Sequence, residues 1–142
     1  MAYTDGNNDP QLAVVTQGLV KAYGDFKAVD GLNLQVPAGG VYGLLGPNGA
    51  GKSTTMKLLL GLTKPTAGSM WLLGQQVGKK TTIQPGRVGS MIEGPSFYPG
   101  LSGLDNCRMI ADYLDLPVSA ASEVLTQLDC GDTRKRKRAP IL

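Results

Sequence analysis

A nine-residue segment in the first half of the chain combines glycines, a lysine and two hydroxyls in a spacing suited to phosphate chemistry. Gly46 to Thr54 reads GPNGAGKST and fits the pattern G-x-x-x-x-G-K-[ST] of a phosphate-binding loop. Its glycines let the backbone wrap closely around a polyphosphate, and the helix that follows adds N–H donors at its start. We expect Lys52 to contact the β- and γ-phosphates and the Ser53 hydroxyl to be a ligand of Mg²⁺.

A phosphate-binding loop needs a strand before it and a helix after it, and the flanking sequence predicts both. Val41 to Leu45 is a short apolar run typical of a buried parallel strand. The sequence from Lys52 to Leu60 favours a helix that Gly61 ends, with a core face formed by Met56, Leu58, Leu59 and Leu60. A chance glycine-rich turn before a helix is the alternative interpretation. The loop leaves open whether ATP, GTP or another nucleotide binds.

The composition is that of a globular protein with its positive charge concentrated in one place. The 142 residues suffice for one domain with a core, and 42% of them are hydrophobic. Five of the fourteen basic residues lie from Arg134 to Arg138, and the other nine are outnumbered by eleven acidic residues. The start of the chain is polar, unlike a secretory signal, and no apolar run reaches the about 18 residues of a spanning helix. We therefore expect a cytoplasmic location.

The rest of the chain predicts an antiparallel layer before the loop and helices near the end. Partly alternating apolar residues predict strands over 12–23 and 26–36, joined by a turn at 24–25. Further strands are predicted at 69–73 and 87–92, separated by an exposed loop over 78–86. Ser102 followed by Asp105 predicts a capped helix, which Pro117 ends, and Ser119 begins another. The inner face of the first helix is expected to carry Leu104, Met109, Ile110 and Leu114.

The segment from Leu19 to Thr54, LVKAYGDFKAVDGLNLQVPAGGVYGLLGPNGAGKST, closely resembles the start of an ATP-binding-cassette (ABC) transporter ATPase domain. The likeness continues through residues 61–68 to about residue 128. It implies an α/β fold of the P-loop NTPase class, with an antiparallel β layer, an incomplete parallel sheet with helices and the start of a helical subdomain. Residues 11–130 would form the N-terminal part of that domain, after a disordered segment 1–10 and before a basic tail 131–142.

The resemblance also implies a ligand and residue roles. Tyr23 matches the aromatic that stacks on adenine in this family, although a tyrosine at a strand end could also pack on its own domain. Thr54 matches a residue that helps to hold the α-phosphate, and Lys52 acts in catalysis. The implied nucleotide site contains Tyr23, Gly46, Pro47, Asn48, Gly49, Ala50, Gly51, Lys52, Ser53 and Thr54. ATP and Mg²⁺ are the implied cofactors.

Glu93 departs from the family pattern, which usually has glutamine at this place. The family residue reaches Mg²⁺ and the attacking water, and its loop touches the membrane-spanning subunit. The glutamate form is typical of exporters that resemble lantibiotic-immunity and bacitracin-resistance ATPases. We expect Glu93 to be catalytic and a metal ligand, because a carboxylate is a hard ligand suited to Mg²⁺. Phe97 and Tyr98 follow in a proline-bracketed loop suited to docking on a permease. An ordinary surface glutamate is the alternative.

Several parts of the family machinery do not occur in this sequence. Leu101-Ser102-Gly103 resembles the opening of the signature motif but continues with Leu104-Asp105, so we interpret it as a helix cap. The signature itself, the strand ending in the metal-holding aspartate and catalytic glutamate, and the switch histidine are missing. We therefore expect a fragment that binds ATP, while the full-length family member hydrolyses it as a head-to-tail dimer with a second ATP-binding domain. The basic tail suggests a truncated or frame-shifted product.

Other interpretations remain open at this point. A GTPase should show Asn-Lys-x-Asp and Asp-x-x-Gly motifs, and neither occurs. A small-molecule kinase and a defective remnant without a stable fold are the further alternatives. The basic tail could contact nucleic acid or a membrane, but a short basic run is most often a solvated tail, so no nucleic-acid partner is expected.

Overall fold

The computed structural model describes residues 11–78, 86–92, 94 and 97–130. The chain divides into two compact units, Met1–Glu93 and Gly94–Leu142. The predictions for residues 1–10 and 131–142, for most of the 78–86 loop and for Glu93 fall outside the described residues.

A long hairpin dominates the first unit. Strand β1 spans Leu12–Tyr23 and strand β2 spans Phe26–Pro37, and they pair antiparallel with Leu19 opposite Leu32 and Tyr23 opposite Phe26. Gly24 takes a φ of +58°, a left-handed conformation that glycine adopts without strain, and this permits the two-residue turn. The hairpin predicted from the alternating pattern is thus confirmed, and it brings two aromatic side chains to one end of the sheet.

In the described residues, two further strands extend this hairpin to an antiparallel sheet of four strands. Strand β3 spans Ala67–Leu72 and pairs with β1, and the short strand β4 spans Gln75–Gln76 and pairs with β3. The strand order is β2-β1-β3-β4, so β1 lies inside the sheet. Helix α1 spans Lys52–Leu59 and contributes to a core shared with the sheet. This core consists of Leu19, Val29, Leu58, Leu59, Met70 and Val77.

The α/β class and the antiparallel layer are confirmed, but two predicted strands are wrong. Residues 41–45 and 87–92 have no regular structure, and among the described residues neither segment pairs with a strand. Val41 is fully exposed and Leu45 is 91% exposed. An apolar run becomes a buried parallel strand only when neighbouring strands satisfy its backbone groups and helices cover its faces. Met56, predicted for the core, is also exposed, because the buried side of α1 is formed by Thr55, Leu58 and Leu59.

Within its described residues the second unit contains two helices, α2 over Gly103–Tyr113 and α3 over Ala120–Gln127. Ser102 caps α2 as predicted, since its hydroxyl accepts from the backbone N–H of Asp105 at 3.1 Å and donates to the Asp105 carboxylate at 2.6 Å. Ser119 precedes α3 without a side-chain capping bond. In the described part of the chain, no helix has the length and hydrophobicity needed to cross a bilayer.

The predicted inner face of α2 is wrong for two residues. Met109 and Ile110 are exposed, and the buried residues of the helix are Ala111 and the polar Asn106. The Asn106 amide accepts from the backbone N–H of Tyr98 at 2.8 Å and donates to the carbonyl of Ser102 at 3.0 Å. Burial of a polar amide is tolerated because these bonds satisfy it. The helix is therefore oriented by a hydrogen-bonded residue that a hydrophobic pattern does not reveal.

Candidate functional site

The phosphate loop begins after residue 45 and ends in the first turn of α1. Gly49 and Gly51 take φ values of +85° and +82°, so the backbone turns twice in a conformation that favours glycine. Gly51 occupies the position before α1, and its carbonyl accepts from the N–H of Thr55 at 2.8 Å. A Cβ at Gly51 would collide with the carbonyl oxygen of Ala28 on β2. This close approach fixes the end of the loop against the hairpin.

Lys52 folds back over the loop that precedes it. Its ammonium donates to the carbonyl oxygens of Gly46 and Pro47, each at 2.7 Å. These bonds hold a positive charge above the main chain of the loop. An ammonium has three N–H donors, so these two bonds leave one for a ligand oxygen. The site is therefore electropositive and suited to an anion.

An open cleft of about 290 Å³ lies beside the loop. Its walls are formed by the loop, the first turn of α1 and the beginning of β2, through Phe26, Ala28, Asn48, Gly49, Gly51, Lys52, Ser53 and Thr54. This volume is near the lower end of the range for small-molecule sites, which starts at about 300 Å³. Six of the predicted nucleotide-site residues from Asn48 to Thr54 are thus brought together, all except Ala50, with Ser53 exposed in the first helical turn.

Phe26 is a residue of this cleft that the sequence analysis missed. It begins β2 directly opposite Tyr23 and is 63% exposed, although phenylalanine is normally buried. Its signal in the sequence was weak, because an aromatic residue after a turn is also typical of an ordinary strand. Tyr23 lies at the same end of the hairpin and is 53% exposed, but it does not line the cleft.

The described residues offer few candidate metal ligands at the site. No group of three or more histidine, cysteine, aspartate or glutamate side chains that could hold a metal occurs within the described ranges. Ser53 is the predicted metal ligand that the structure describes, and Glu93 lies outside the described residues. Predictions about Glu93 therefore stay predictions.

Comparison with known proteins gives a consistent result. The sequence profile of the ABC transporter family matches residues 29–140. The bacitracin transport ATP-binding protein BcrA of Enterococcus faecalis is 43% identical over 101 residues, which are 71% of this chain and 33% of that protein. The daunorubicin/doxorubicin resistance ATP-binding protein DrrA of Streptomyces peucetius is 40% identical over 134 residues, 92% of this chain and 41% of that one. The lantibiotic transport ATP-binding protein SrtF of Streptococcus pyogenes is 38% identical over 120 residues, 84% and 51% of the two chains.

Solved structures agree at the level of the fold. A nucleotide-free ATP-binding cassette from an ABC transporter superposes with a TM-score of 0.67 at 21% identity, covering 92% of this chain and 59% of that one. An ATP-binding cassette of an ABC transporter in its ADP conformation gives a TM-score of 0.66 at 21% identity, with coverage of 92% and 59%. The chain spans about a third to a half of the length of the curated relatives described above.

Proposed function

This chain belongs to the ABC transporter family, and we propose that it forms the nucleotide-binding part of the ATP-binding subunit of an exporter. The observation that carries the proposal is the phosphate loop, in which the Lys52 ammonium lies over the main chain beside a cleft. The names of BcrA, DrrA and SrtF, each an ATP-binding protein of transport or drug resistance, support the export role.

The triphosphate would bind along the loop from Gly46 to Thr54. Lys52 exchanges its bonds to the Gly46 and Pro47 carbonyls for bonds to the β- and γ-phosphates. Backbone N–H groups of the loop and of the first turn of α1 supply further donors, and the helix dipole favours the negative charge. Thr54 lines the cleft, and we propose that it helps to hold the α-phosphate.

The residues of the site fit a magnesium ion that is held mainly by phosphate oxygens and water. Ser53 offers one hydroxyl in the cleft, which suits Mg²⁺ because this ion keeps several waters and takes few protein ligands. Ser53 would hold the ion, with Glu93 as the second protein ligand. When bound, Mg²⁺ neutralises charge on the phosphates. We assign Glu93 the further role of orienting the attacking water in the complete subunit.

The base would lie at the hairpin end of the cleft. Tyr23 and Phe26 are paired residues at the tip of the β1–β2 hairpin, and both present exposed rings. A flat aromatic face holds a base by stacking. We propose that Tyr23 stacks on adenine while Phe26 forms the wall between the base and the loop. Stacking alone discriminates weakly between bases, so preference for ATP over GTP has to be measured.

The partners proposed are a membrane-spanning permease and a second ATP-binding domain. Phe97 and Tyr98 in the second unit are exposed aromatics of the kind enriched in protein interfaces, and they follow the Glu93 segment. The permease would hold the subunit at the cytoplasmic face of the membrane. ATP hydrolysis, in a head-to-tail dimer, is proposed for the complete subunit. We assign residues 11–130 to the ATP-binding domain.

Replacement of Lys52 by alanine tests the proposal. Hydrogen bonds to charged groups contribute about 1.5–3 kcal/mol, so Lys52→Ala should weaken Mg-ATP binding at least about tenfold. Isothermal titration calorimetry of the 142-residue chain measures this directly. ATP affinity equal to that of the unsubstituted chain would contradict the assignment of the loop.

Lys27→Ala is the matched control for loss of a lysine. Lys27 lies on β2, is exposed and pairs with Asp30 at 3.1 Å, outside the cleft lining. Exposed ion pairs contribute little, so this variant should keep ATP affinity and fold. Competition of GTP against ATP in the same titration then shows whether the aromatic site discriminates between the two bases.

A further inference from the structure

Lys21 lies directly against the ring of Tyr23. Its ammonium is 4.8 Å from the ring centroid, within the about 6 Å over which a cation is attracted to an aromatic face. The two residues are two apart on β1, so their side chains leave the same face of the strand. One face of the tyrosine is therefore covered by a residue of its own strand.

The turn after α1 holds Lys21 in this position. The ammonium of Lys21 also donates to the carbonyl of Lys64 at 2.9 Å. Two more hydrogen bonds join the same turn to β1. The N–H of Thr66 donates to the Val20 carbonyl at 2.8 Å, and the Thr66 hydroxyl accepts from the N–H of Ala22 at 2.9 Å. Three bonds thus fix the segment that anchors the lysine.

We infer that Lys21 is a positioning residue for the nucleotide base. Its ammonium covers one face of the Tyr23 ring and leaves the opposite face for stacking. This inference rests on the proposed nucleotide function. Tyr23 remains 53% exposed with Lys21 in place, so the ring retains surface for a ligand. A ring already held in one orientation loses less conformational freedom when a base stacks on it. The bound base and the ammonium then lie on opposite sides of the ring.

The test separates base binding from phosphate binding. Lys21→Met keeps an unbranched side chain that is one atom shorter, and it removes the charge and the donors. An exposed cation–π contact is lost, and we expect ATP affinity to fall about two- to fivefold while affinity for inorganic tripolyphosphate stays unchanged. Lys21→Arg should restore ATP affinity, because a guanidinium also stacks on an aromatic face. Calorimetry with Mg²⁺ present measures both ligands on the 142-residue chain.

Two further variants isolate the coupling to Tyr23. Lys27→Met, the matched loss of a lysine from the same hairpin, should leave both affinities unchanged. In a chain that already carries Tyr23→Ala, the Lys21→Met substitution should have no additional effect on ATP. A thermal melt of each variant shows whether the fold is retained.

The outcomes distinguish the inference from the function beneath it. If the unsubstituted chain binds ATP but Lys21→Met binds it equally or more tightly, the positioning role is wrong. A parallel loss of ATP and tripolyphosphate affinity overturns it as well, because the effect would then concern phosphate or folding. If the unsubstituted chain binds neither ligand, the proposed function fails and the inference fails with it.

Discussion

Gly49 and Gly51 share one backbone conformation but differ in their surroundings. Both have φ near +80°, at +85° and +82°. A Cβ at Gly49 would meet nothing within 4 Å, whereas one at Gly51 would meet the Ala28 carbonyl and lie 3.3 Å from a methyl of Val29. The pair therefore separates the effect of backbone strain from the effect of missing space.

We predict that Gly51→Ala destabilises the chain more than Gly49→Ala. A left-handed conformation costs a non-glycine residue about 1–2 kcal/mol, and this applies to both variants. The collision at Gly51 is with backbone, which cannot rotate away, so overpacking should add about 1–3 kcal/mol. Urea unfolding measures both values. An equal loss of unfolding free energy in the two variants would contradict the prediction, because it would show that the loop moves away from β2 at little cost.

The start of α2 offers a similar comparison between two serines. Ser102 caps α2 through its side chain, whereas Ser119 stands before α3 without such a bond. The hydrogen bond from Ser102 is the main reason that the pKa of Asp105 lies below its ordinary value, and the nearby Arg108 contributes in the same direction. Partial desolvation opposes the shift without cancelling it.

We predict that Ser102→Ala costs about 1 kcal/mol of stability, the usual value for a lost N-cap, while Ser119→Ala costs little. Ser102→Ala should also raise the pKa of Asp105 towards its ordinary value. Because the folded carboxyl has the lower pKa, its stabilising contribution is present above the unfolded pKa and is lost as pH falls. Urea unfolding measures the first effect and carboxyl titration by NMR the second. An unchanged Asp105 titration would contradict the assigned cause.

The first unit is stabilised by a small hydrophobic core between the sheet and α1. Leu19 on β1 and Leu58 on α1 have no exposed surface, whereas Leu45, equally hydrophobic, is 91% exposed. Burial therefore follows the strands that pair and the helix that covers them, and it does not follow hydrophobicity alone. The apolar segment 41–45 adds little to this core.

We predict that Leu19→Ala destabilises the first unit by about 2–5 kcal/mol, the usual cost of a large cavity in a core. Leu45→Ala should change stability by less than about 0.5 kcal/mol, as for surface substitutions. Urea unfolding, followed by the fluorescence of the nearly buried Trp71, measures both. A large loss for Leu45→Ala would indicate that segment 41–45 packs as a strand after all.

The sequence predicted best what depends on neighbouring residues. The Gly24 turn, the Ser102 cap and the phosphate loop with α1 each result from residues a few positions apart, and the structure has them where they were expected. The segments at 41–45 and 87–92 failed because a strand depends on partners that are distant in sequence. Phe26 and Asn106 were missed because their roles depend on spatial neighbours and not on residue type. Phe26 lines the cleft beside the loop, and Asn106 is buried because it hydrogen-bonds to the backbone of Tyr98.

The bonds of Lys52 to two main-chain carbonyls make ligand binding a replacement reaction. An incoming phosphate can accept the third N–H of the ammonium, and each further bond from Lys52 displaces the carbonyl of Gly46 or of Pro47, each at 2.7 Å. The heat released on binding is then the difference between two sets of charge-assisted bonds, and much of it cancels. A doubly charged phosphate group attracts the ammonium more strongly than these neutral carbonyl oxygens do, whereas a neutral ligand oxygen has no such advantage. The loop thus disfavours weak acceptors, because a ligand that takes more than one donor from Lys52 competes with the backbone of the loop.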